Sequence, residues 1–251
     1  MIRKTMAGLF VACLMSSAAW AQTADELIEK NIQARGGREK LAAIQTLRMT
    51  GKMVMGPGME APFVQELSRP NKMRVEFTFQ GMTGIQTFDG KDGWMLMPFM
   101  GKTEAEPVPS DQLKAIEEQA DIDGLLLDYK AKGHQVEYAG KEDLEGSPTH
   151  KLKITKKNGD IAWLWLDAEH FLELKIAGKT KVREQEVEGE TLFGDYKEVG
   201  GIIFPHSIEN RAVGMPGGQT ITVEKVEINP ELATDRFGKP QAAKGAAPKP
   251  Q

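Results

Sequence analysis

Apolar and polar residues alternate along much of the chain from residue 47 onward. In residues 47–55 the odd positions are apolar or glycine and most even positions are polar, and residues 73–79 repeat this pattern. A period of two is typical of β-strands with one apolar and one solvated face. The sequence therefore predicts a mainly β protein with about ten or eleven short strands in one curled antiparallel sheet. Further segments of strand character are separated mostly by Gly, Pro and Asn. One holds Phe63 and Leu67, and the others are residues 84–88, 93–99, 136–141, 151–156, 161–166, 172–177, 190–199, 202–210 and 219–228.

Helical spacing precedes the first predicted strand. Thr23-x-x-Glu26 has the form of a capping box, which is a signal for a helix N-terminus, and apolar residues follow it at near-helical spacing. We therefore expect an N-terminal helix that ends at Gly36-Gly37. A shorter helical segment is predicted over residues 38–44.

A further helical segment interrupts the predicted strands in the middle of the chain. Ser110 is a suitable N-cap for a helix in which Leu113, Ile116 and Ala120 share one face, and residues 122–127 add more apolar positions. Helices inserted into a run of hairpins usually cover one face or one end of the sheet. The sequence therefore predicts an inserted helical lid over the curled sheet.

The first 21 residues have the form of a secretory signal peptide. Arg3 and Lys4 precede an apolar stretch over residues 6–15, and Ala19-Trp20-Ala21 provides a cleavage site of mostly small residues. The apolar stretch is shorter than the roughly 20 residues that a membrane-spanning helix needs. We therefore expect cleavage after Ala21 and a periplasmic location.

The chain that remains after Ala21 is predicted to form one domain. Cys13 is the only cysteine and lies in the predicted signal peptide, so the mature chain has no disulfide and no cysteine metal site. The alternative is that Cys13 is lipidated in place of cleavage after Ala21. The domain is assigned to residues 22–237. Residues 238–251 are rich in Pro, Ala, Lys and Gly and are predicted to be a disordered tail.

Charge and motifs exclude several classes of function. Without Arg3 and Lys4 the chain has 30 basic and 36 acidic residues, a net charge of −6 with both signs interspersed, which does not favour nucleic-acid binding. Motifs for hydrolases, zinc proteases, phosphate loops and dinucleotide binding do not occur, and the four histidines are dispersed. The neighbouring carboxylates Asp121, Asp123 and Asp128 are interpreted as a solvated helix start. The sequence therefore predicts no enzymatic activity, no metal site and no cofactor.

Methionine is concentrated in the first half of the predicted sheet. Nine of the ten methionines that follow the predicted signal peptide lie between residues 49 and 100. Because methionine is unbranched and polarizable, a surface rich in it adapts to ligands of irregular shape, and an apolar cavity is predicted there. The alternative is that these side chains only fill a core. Residues 94–99 and 161–166 are apolar on both strand faces, so we expect helices on one side and more sheet or the opening helix on the other.

Two short segments resemble a known family. Residues 67–74, Leu-Ser-Arg-Pro-Asn-Lys-Met-Arg, and residues 88–94, Phe-Asp-Gly-Lys-Asp-Gly-Trp, are similar to the signature of the periplasmic outer-membrane lipoprotein carriers, the LolA-like family. In that family a strand ends in an Arg-Pro-Asn turn, and an Asp-Gly-Lys hairpin leads to an aromatic strand with a Trp. The similarity covers residues 47–99, and beyond it only the order of elements agrees. The chain departs from the family by its greater length, by the added residues 36–44 and by its tail.

The resemblance implies a fold and a role for one arginine. The fold would be an incomplete β-barrel whose mouth is closed by helices, enclosing an apolar cavity that receives acyl chains. Arg69 matches the family arginine that holds the lid shut by donating hydrogen bonds to the lid backbone. A guanidinium suits this task because it has five donors and a persistent charge. The alternative is a strand-end arginine that faces water.

The leading hypothesis is a periplasmic carrier that binds the acyl chains of a lipoprotein or lipid and ferries it towards the outer membrane. We expect a monomer whose partners are this cargo and donor and acceptor complexes in the inner and outer membranes. The alternatives are an envelope sensor or scaffold that binds a protein partner without lipid cargo, and a hydrolase with an unrecognised site. Arg69 is predicted to be the lid gate. The predicted cargo contacts are Met49, Met53, Met73, Val75, Phe77, Trp94, Leu96, Leu113, Ile116, Leu125 and Leu126.

Overall fold

The computed structural model describes residues 23–54, 56, 58–182, 185–213 and 217–241. The predicted signal peptide, Cys13 and residues 242–251 of the predicted tail lie outside the described residues. The described helices are α1 (Ala24–Ala34), α2 (Arg38–Ala42) and α3 (Ser110–Ala120), with 3-10 turns at Pro98–Met100 and Thr234–Phe237. The strands are β1 (Thr46–Val54), β2 (Glu60–Ser68), β3 (Lys72–Phe79), β4 (Met82–Phe88), β5 (Gly93–Met97), β6 (Lys102–Pro107), β7 (Gln135–Leu144), β8 (Ser147–Thr155), β9 (Ile161–Asp167), β10 (Glu173–Val182), β11 (Gln185–Val199), β12 (Ile202–Ala212) and β13 (Gly218–Ile228).

The strands form a single antiparallel sheet that is not closed. Its order from edge to edge is β6-β5-β4-β3-β2-β1-β13-β12-β11-β10-β9-β8-β7. The first and last strands therefore pair at the centre, and both edge strands come from the middle of the chain. Residues 108–134, which include α3, connect the two edges. Helix α3 contacts β3 and β4 in one half of the sheet and β10 in the other, so the sheet curls around it.

One face of the sheet, called here the inner face, carries the helices and the main apolar core. On β1 this face presents Leu47, Met49 and Met53, and the register places inner-facing residues of β2 and β13 opposite them. Buried residues of all three helices belong to the same apolar cluster as these β1 side chains. The intervening residues point to the other side, called the outer face.

The predicted N-terminal helix is confirmed as α1. The Thr23 hydroxyl accepts a hydrogen bond from the Glu26 backbone N–H, and the Glu26 carboxylate accepts one from the Thr23 backbone N–H, each at 3.2 Å. This is the reciprocal capping box that the sequence predicts. No helix in the described part of the chain is long and apolar enough to cross a membrane.

The C-terminal end of the described chain lies across the outer face. We call residues 234–240 the C-terminal strap. The register aligns Glu66, Arg74, Thr87 and Trp94 in one outward-facing row across β2 to β5. The strap follows this row, because its residues contact each of these four side chains in turn.

The strap is held by both ionic and neutral contacts. Arg236 Nε donates to the Glu66 carboxylate at 2.7 Å, and the Arg236 carbonyl accepts from Arg74 Nη1 at 2.9 Å. The Thr87 hydroxyl donates to the Gly238 carbonyl at 3.0 Å. Phe237 lies between these anchors and is only 2% exposed. The strap is thus packed against the outer face through hydrogen bonds and a buried side chain.

The structure differs from the sequence prediction in its strand count and in its lid. Thirteen strands are present where about ten or eleven are predicted; twelve of them overlap segments of predicted strand character, and only the edge strand β6 does not. Ser110 is the first residue of α3, and its N-cap is Pro109, which has no side-chain acceptor. Residues 122–133 form turns, so the lid contains one helix.

The cover of the outer face also differs from the prediction. The sequence predicts that more sheet or the opening helix covers the second apolar side of residues 94–99. In the structure the C-terminal strap lies there, and the Lys239 ammonium is 4.8 Å from the centre of the Trp94 ring. Helix α1 packs elsewhere, against β7.

Candidate functional site

A row of partly exposed side chains crosses the inner face. The register aligns Met49 of β1, Gln65 of β2, Val75 of β3, Gln86 of β4 and Met95 of β5. Each of the five is only partly buried. With neighbouring strands about 4.8 Å apart, the row is roughly 19 Å long. We call it the groove row, and it combines an apolar surface with two amide groups.

The next row of the inner face is fully buried under the lid helix. Its apolar members Leu47, Leu67, Met73 and Phe88 are each at most 6% exposed. The row ends at Gly93, where a Cβ atom would lie 2.9 Å from the side chain of Leu113 in α3. Helix α3 therefore lies directly on this row, and the groove row runs beside it.

Aromatic rings border the groove row on its other side. Phe77 lies opposite Phe63 in the register, and the Phe99 ring packs with its centroid 5.5 Å from that of Phe77. Gly84 makes this packing possible, because a Cβ atom there would lie 2.7 Å from Phe99 and 2.9 Å from Phe77. The apolar surface thus continues from the groove row to the connection between β5 and β6.

The lid consists of α3 and the turns that follow it, residues 110–133. Ile116 and Leu126 are buried, and Leu113 and Leu125 are partly buried, in the apolar cluster that also contains Met73. The apolar positions of α3 lie on one side of the helix, as is typical of a helix that packs on a sheet. Because the lid and the inner face share one core, moving the lid would expose apolar surface on both.

Arg69 connects the end of β2 to the lid and to α2. Its two terminal nitrogens donate to the two carboxylate oxygens of Asp123 in the lid, one of them at 2.7 Å. Its Nε donates to the Ile44 carbonyl at 2.6 Å, and Nη2 also approaches the Leu41 carbonyl at 3.4 Å. A two-pronged arginine–carboxylate pair is among the stronger hydrogen-bonded contacts in proteins. The contact to the lid is therefore made through a carboxylate, and the carbonyl partners lie beside β1.

The charge of Asp123 is maintained by its neighbours. Partial burial would raise the pKa of this carboxyl, but the hydrogen bonds and charge of Arg69, helped by Lys132 and Arg35, outweigh burial and lower the pKa below its usual value. A carboxyl with a lowered pKa contributes its full stabilisation at every pH above the pKa of a free aspartate, about 3.9. The stabilisation is lost only as the pH falls below that value and through the lowered pKa. The pair is therefore intact over the neutral and mildly acidic range.

Ion pairs with at least one exposed side chain attach the lid at other points. Glu118 of α3 pairs with Lys156 beside β8 at 2.6 Å, and Asp128 pairs with Arg38 of α2 at 2.6 Å. Exposed side chains lower the contribution of an ion pair to roughly 0–1 kcal/mol. The Arg69–Asp123 pair is two-pronged and neither of its side chains is exposed, so it is expected to be the strongest ionic attachment of the lid.

The structure brings together most of the residues predicted to contact cargo. Nine of the eleven belong to the inner-face apolar cluster or pack against it, namely Met49, Met53, Met73, Val75, Phe77, Leu113, Ile116, Leu125 and Leu126. Trp94 and Leu96 lie opposite Thr87 and Ile85 on the outer face, where the C-terminal strap runs. These two side chains are thus separated from the other nine by the sheet.

Sequence reasoning missed two kinds of residue at this site. The interpretation of Asp121, Asp123 and Asp128 as a solvated helix start is wrong, because all three follow the end of α3 and form ion pairs with Lys132, Arg69 and Arg38. No local pattern indicates that Arg69 and Asp123, 54 positions apart, are partners. The two glutamines of the groove row follow from the strand alternation, but a prediction based on apolar positions alone leaves them out.

No group of three His, Cys, Asp or Glu side chains that could hold a metal ion is found among the described residues. Two shallow surface depressions, with volumes of about 440 and 360 Å³, lie outside the groove row, one beside Arg211 and Val213 and the other beside Glu104 and Pro240. Neither is lined by any of the eleven predicted contact residues.

Several solved structures have the same fold at low sequence identity. A structure described as an outer membrane lipoprotein-sorting protein domain of Vibrio parahaemolyticus is 13% identical, with a TM-score of 0.56 over 84% of this chain and 97% of the other. A LolA superfamily protein of Nitrosomonas europaea is also 13% identical, with a TM-score of 0.56 over 87% and 99%. A DUF1329 family protein of Desulfovibrio piger is 12% identical, with a TM-score of 0.59 over 85% and 96%.

These likenesses establish the fold. No protein-family model and no curated protein sequence matches the chain. The chain nevertheless has the fold of LolA superfamily and lipoprotein-sorting proteins, as the segments around Arg69 and Trp94 predict.

Proposed function

We propose that this protein is a periplasmic carrier, without catalytic activity, that binds the acyl chains of a lipoprotein or lipid and ferries it towards the outer membrane. The observation that supports the proposal most is the groove row, a partly exposed line of three apolar residues and two glutamines on the inner face that runs beside a lid. The lipoprotein-sorting description of a protein with the same fold supports the same cargo class. Its partners would be the acylated cargo and membrane complexes that deliver and receive it.

Apolar burial would supply the affinity for such a cargo. Each methylene group moved from water to an apolar surface contributes roughly 0.8 kcal/mol, so part of one acyl chain suffices for firm binding. Leu113 and neighbouring lid side chains cover the buried row that contains Met73 and Leu67 while the lid is in place. Cargo would therefore occupy the groove row first, and deeper binding would require the lid to move.

The matched pair Val75→Lys and Val64→Lys tests this proposal. Both valines are partly buried in the same sheet, but Val75 lies in the groove row and Val64 lies on the outer face. Protein purified from its own envelope would be extracted with organic solvent, and the recovered lipid measured by mass spectrometry. We expect Val75→Lys to lower lipid recovery at least tenfold and Val64→Lys to leave it unchanged, with both variants checked by circular dichroism.

The alternative function is a sensor or scaffold that binds a protein partner without lipid cargo. The fully buried row under α3 favours this alternative, because side chains of the lid already cover that part of the inner face. Parent protein that is empty in every preparation would contradict the carrier proposal. Equal lipid recovery from Val75→Lys and the parent would mean that the lipid binds elsewhere.

The proposed location also makes a prediction about the N-terminus. Cleavage after Ala21 would leave Gln22 as the first residue, whereas lipidation would leave an acylated Cys13. Intact-mass measurement of the exported protein distinguishes the two outcomes. We expect the unmodified mass of residues 22–251, and a larger mass that carries lipid on Cys13 would replace the soluble carrier with a membrane-anchored one.

A further inference from the structure

His150 is a buried titratable side chain that the proposed carrier function does not use. It belongs to β8, is 3% exposed and lies in register with Leu166, a member of the inner-face cluster. Its Nδ1 atom lies 3.3 Å from the Tyr138 hydroxyl of β7. Its ring is nearly parallel to that of Phe171, with an interplanar angle of 8° and ring centroids 6.0 Å apart. The imidazole is therefore flanked by two aromatic side chains and largely shielded from water.

Phe171 connects this histidine to α1. It lies in the turn between β9 and β10, and its backbone φ of +57° is a left-handed conformation that bulky residues rarely adopt. Such a conformation persists where the surrounding contacts hold it in place. The fully buried Asn31 amide of α1 donates to the Phe171 carbonyl at 2.8 Å, and the Lys30 ammonium lies 4.7 Å from the centre of the ring. Helix α1 is thus joined to β8 through Phe171 and its stack on His150.

The surroundings of His150 disfavour its protonated form. Burial is the largest cause that lowers the pKa of this imidazole, and the ammonium groups of Lys141 and Lys30 lower it further. The titratable groups that the neighbouring elements bring towards it are Tyr138 and Lys141 of β7, Lys30 of α1 and the Asp167–His170 pair of the turn. A protonated His150 would therefore be a buried cation close to two other cations, which is an unfavourable arrangement.

We propose that His150 is an acid-sensitive latch, which keeps α1 docked on β7 and β8 while it is neutral and releases the helix when it is protonated. Release would uncover part of the inner face, because buried residues of α1 belong to the core of that face. The latch requires no cargo and goes beyond the proposed function.

The direction of the pH dependence follows from the burial of His150. In the released state the imidazole meets water, where its pKa is about 6.5. Because the docked state has the lower pKa, docking has its full stability above about pH 6.5 and weakens as the pH falls towards the lower value. The paired carboxyls of α1, Asp25 and Glu29, have lowered pKa values and stay charged at pH 5. Mild acid therefore acts on His150 and not on these ion pairs.

Hydrogen exchange over residues 24–34 of the exported protein, compared between about pH 7.5 and pH 5, tests the latch. After correction for the intrinsic pH dependence of exchange, protection of α1 should fall by about ten- to thirtyfold in acid, because a released imidazole with a pKa of about 6.5 takes up a proton. His150→Phe keeps a ring beside Phe171 but cannot titrate, so its protection should change less than about twofold. His170→Gln is the matched control, because the His170 side chain lies in the same turn but is 69% exposed. This control should respond to acid as the parent does.

An NMR titration of the His150 imidazole in the parent makes the test independent of whether His150→Phe folds. A midpoint below about 6.5, with an acid response of α1 that only His150→Phe loses, supports the latch. A midpoint at or above that value, unchanged protection of α1 in acid, or an equal response in His150→Phe and the parent would overturn it. Lipid recovery at neutral pH, measured separately, tests the carrier proposal. A protein that carries lipid but keeps α1 protected in acid would refute the latch alone.

Discussion

Phe237→Ala is expected to lower the free energy of unfolding by about 3–5 kcal/mol, the usual cost of removing a buried phenylalanine ring. Phe237 is 2% exposed and is the largest fully buried side chain among the described residues. The strap around it is fixed by Arg236, Arg74 and Thr87, so the cavity cannot easily collapse. Urea unfolding followed by tryptophan fluorescence would measure the change.

Two further variants distinguish ring packing from other effects. Phe237→Leu keeps most of the apolar volume and should cost less than the alanine change. Val213→Ala changes an exposed side chain and should alter stability by at most about 0.5 kcal/mol. A loss below 1 kcal/mol in Phe237→Ala would mean that the strap does not contribute to the folded domain in solution.

Arg69→Leu is expected to loosen the lid while leaving the sheet folded. The substitution removes the guanidinium from Asp123 and leaves a partly buried carboxylate without its partner. Hydrogen bonds to charged groups contribute about 1.5–3 kcal/mol, so the local opening of the lid should become easier by about 2–3 kcal/mol. Because each 1.4 kcal/mol is a factor of ten, hydrogen exchange over residues 110–129 should be about 30- to 150-fold faster.

Arg38→Leu provides the matched control for the gate. Arg38 also pairs with a lid aspartate, Asp128, but the two side chains are 46% and 58% exposed. An exposed pair contributes roughly 0–1 kcal/mol, so lid exchange should rise by at most about fivefold. Equal lid protection in Arg69→Leu and the parent would remove Arg69 as the gate. A general increase in exchange over all strands would instead indicate a structural role for Arg69.

The parts of the fold that were predictable from sequence are those whose signal is local. The alternation of residues 47–55 and 73–79 gives β1 and β3 with the correct inner face, because apolar side chains occupy one side of these strands and mostly polar side chains the other. The capping box at Thr23 gives the start of α1 because both partners lie within one turn. For the same reason nine of the eleven predicted contact residues share one cluster.

The parts that were not predictable depend on distant contacts. Strand β6 consists mainly of exposed polar residues, since it is an edge strand without a buried face to select apolar side chains. The strap could not be foreseen because Glu66 and Arg236 are 170 positions apart. The sequence pattern places Trp94 and Leu96 at the cargo site, but their segment is apolar on both faces, and sequence alone does not say which face the strap covers.

The central pairing of β1 with β13 has a consequence for how the inner face could open. The sheet consists of two wings, β1–β6 and β7–β13, each a continuous run of hairpins, and the wings share a single seam. Residues 108–134 connect the edge strands of the two wings, and α3 contacts both wings on the inner face. If these contacts were released, the wings would rotate about the β1–β13 pairing without breaking a hairpin. The space for a large ligand would then come from a change in the curvature of the whole sheet, and the rotation axis would run along the β1–β13 strand pair.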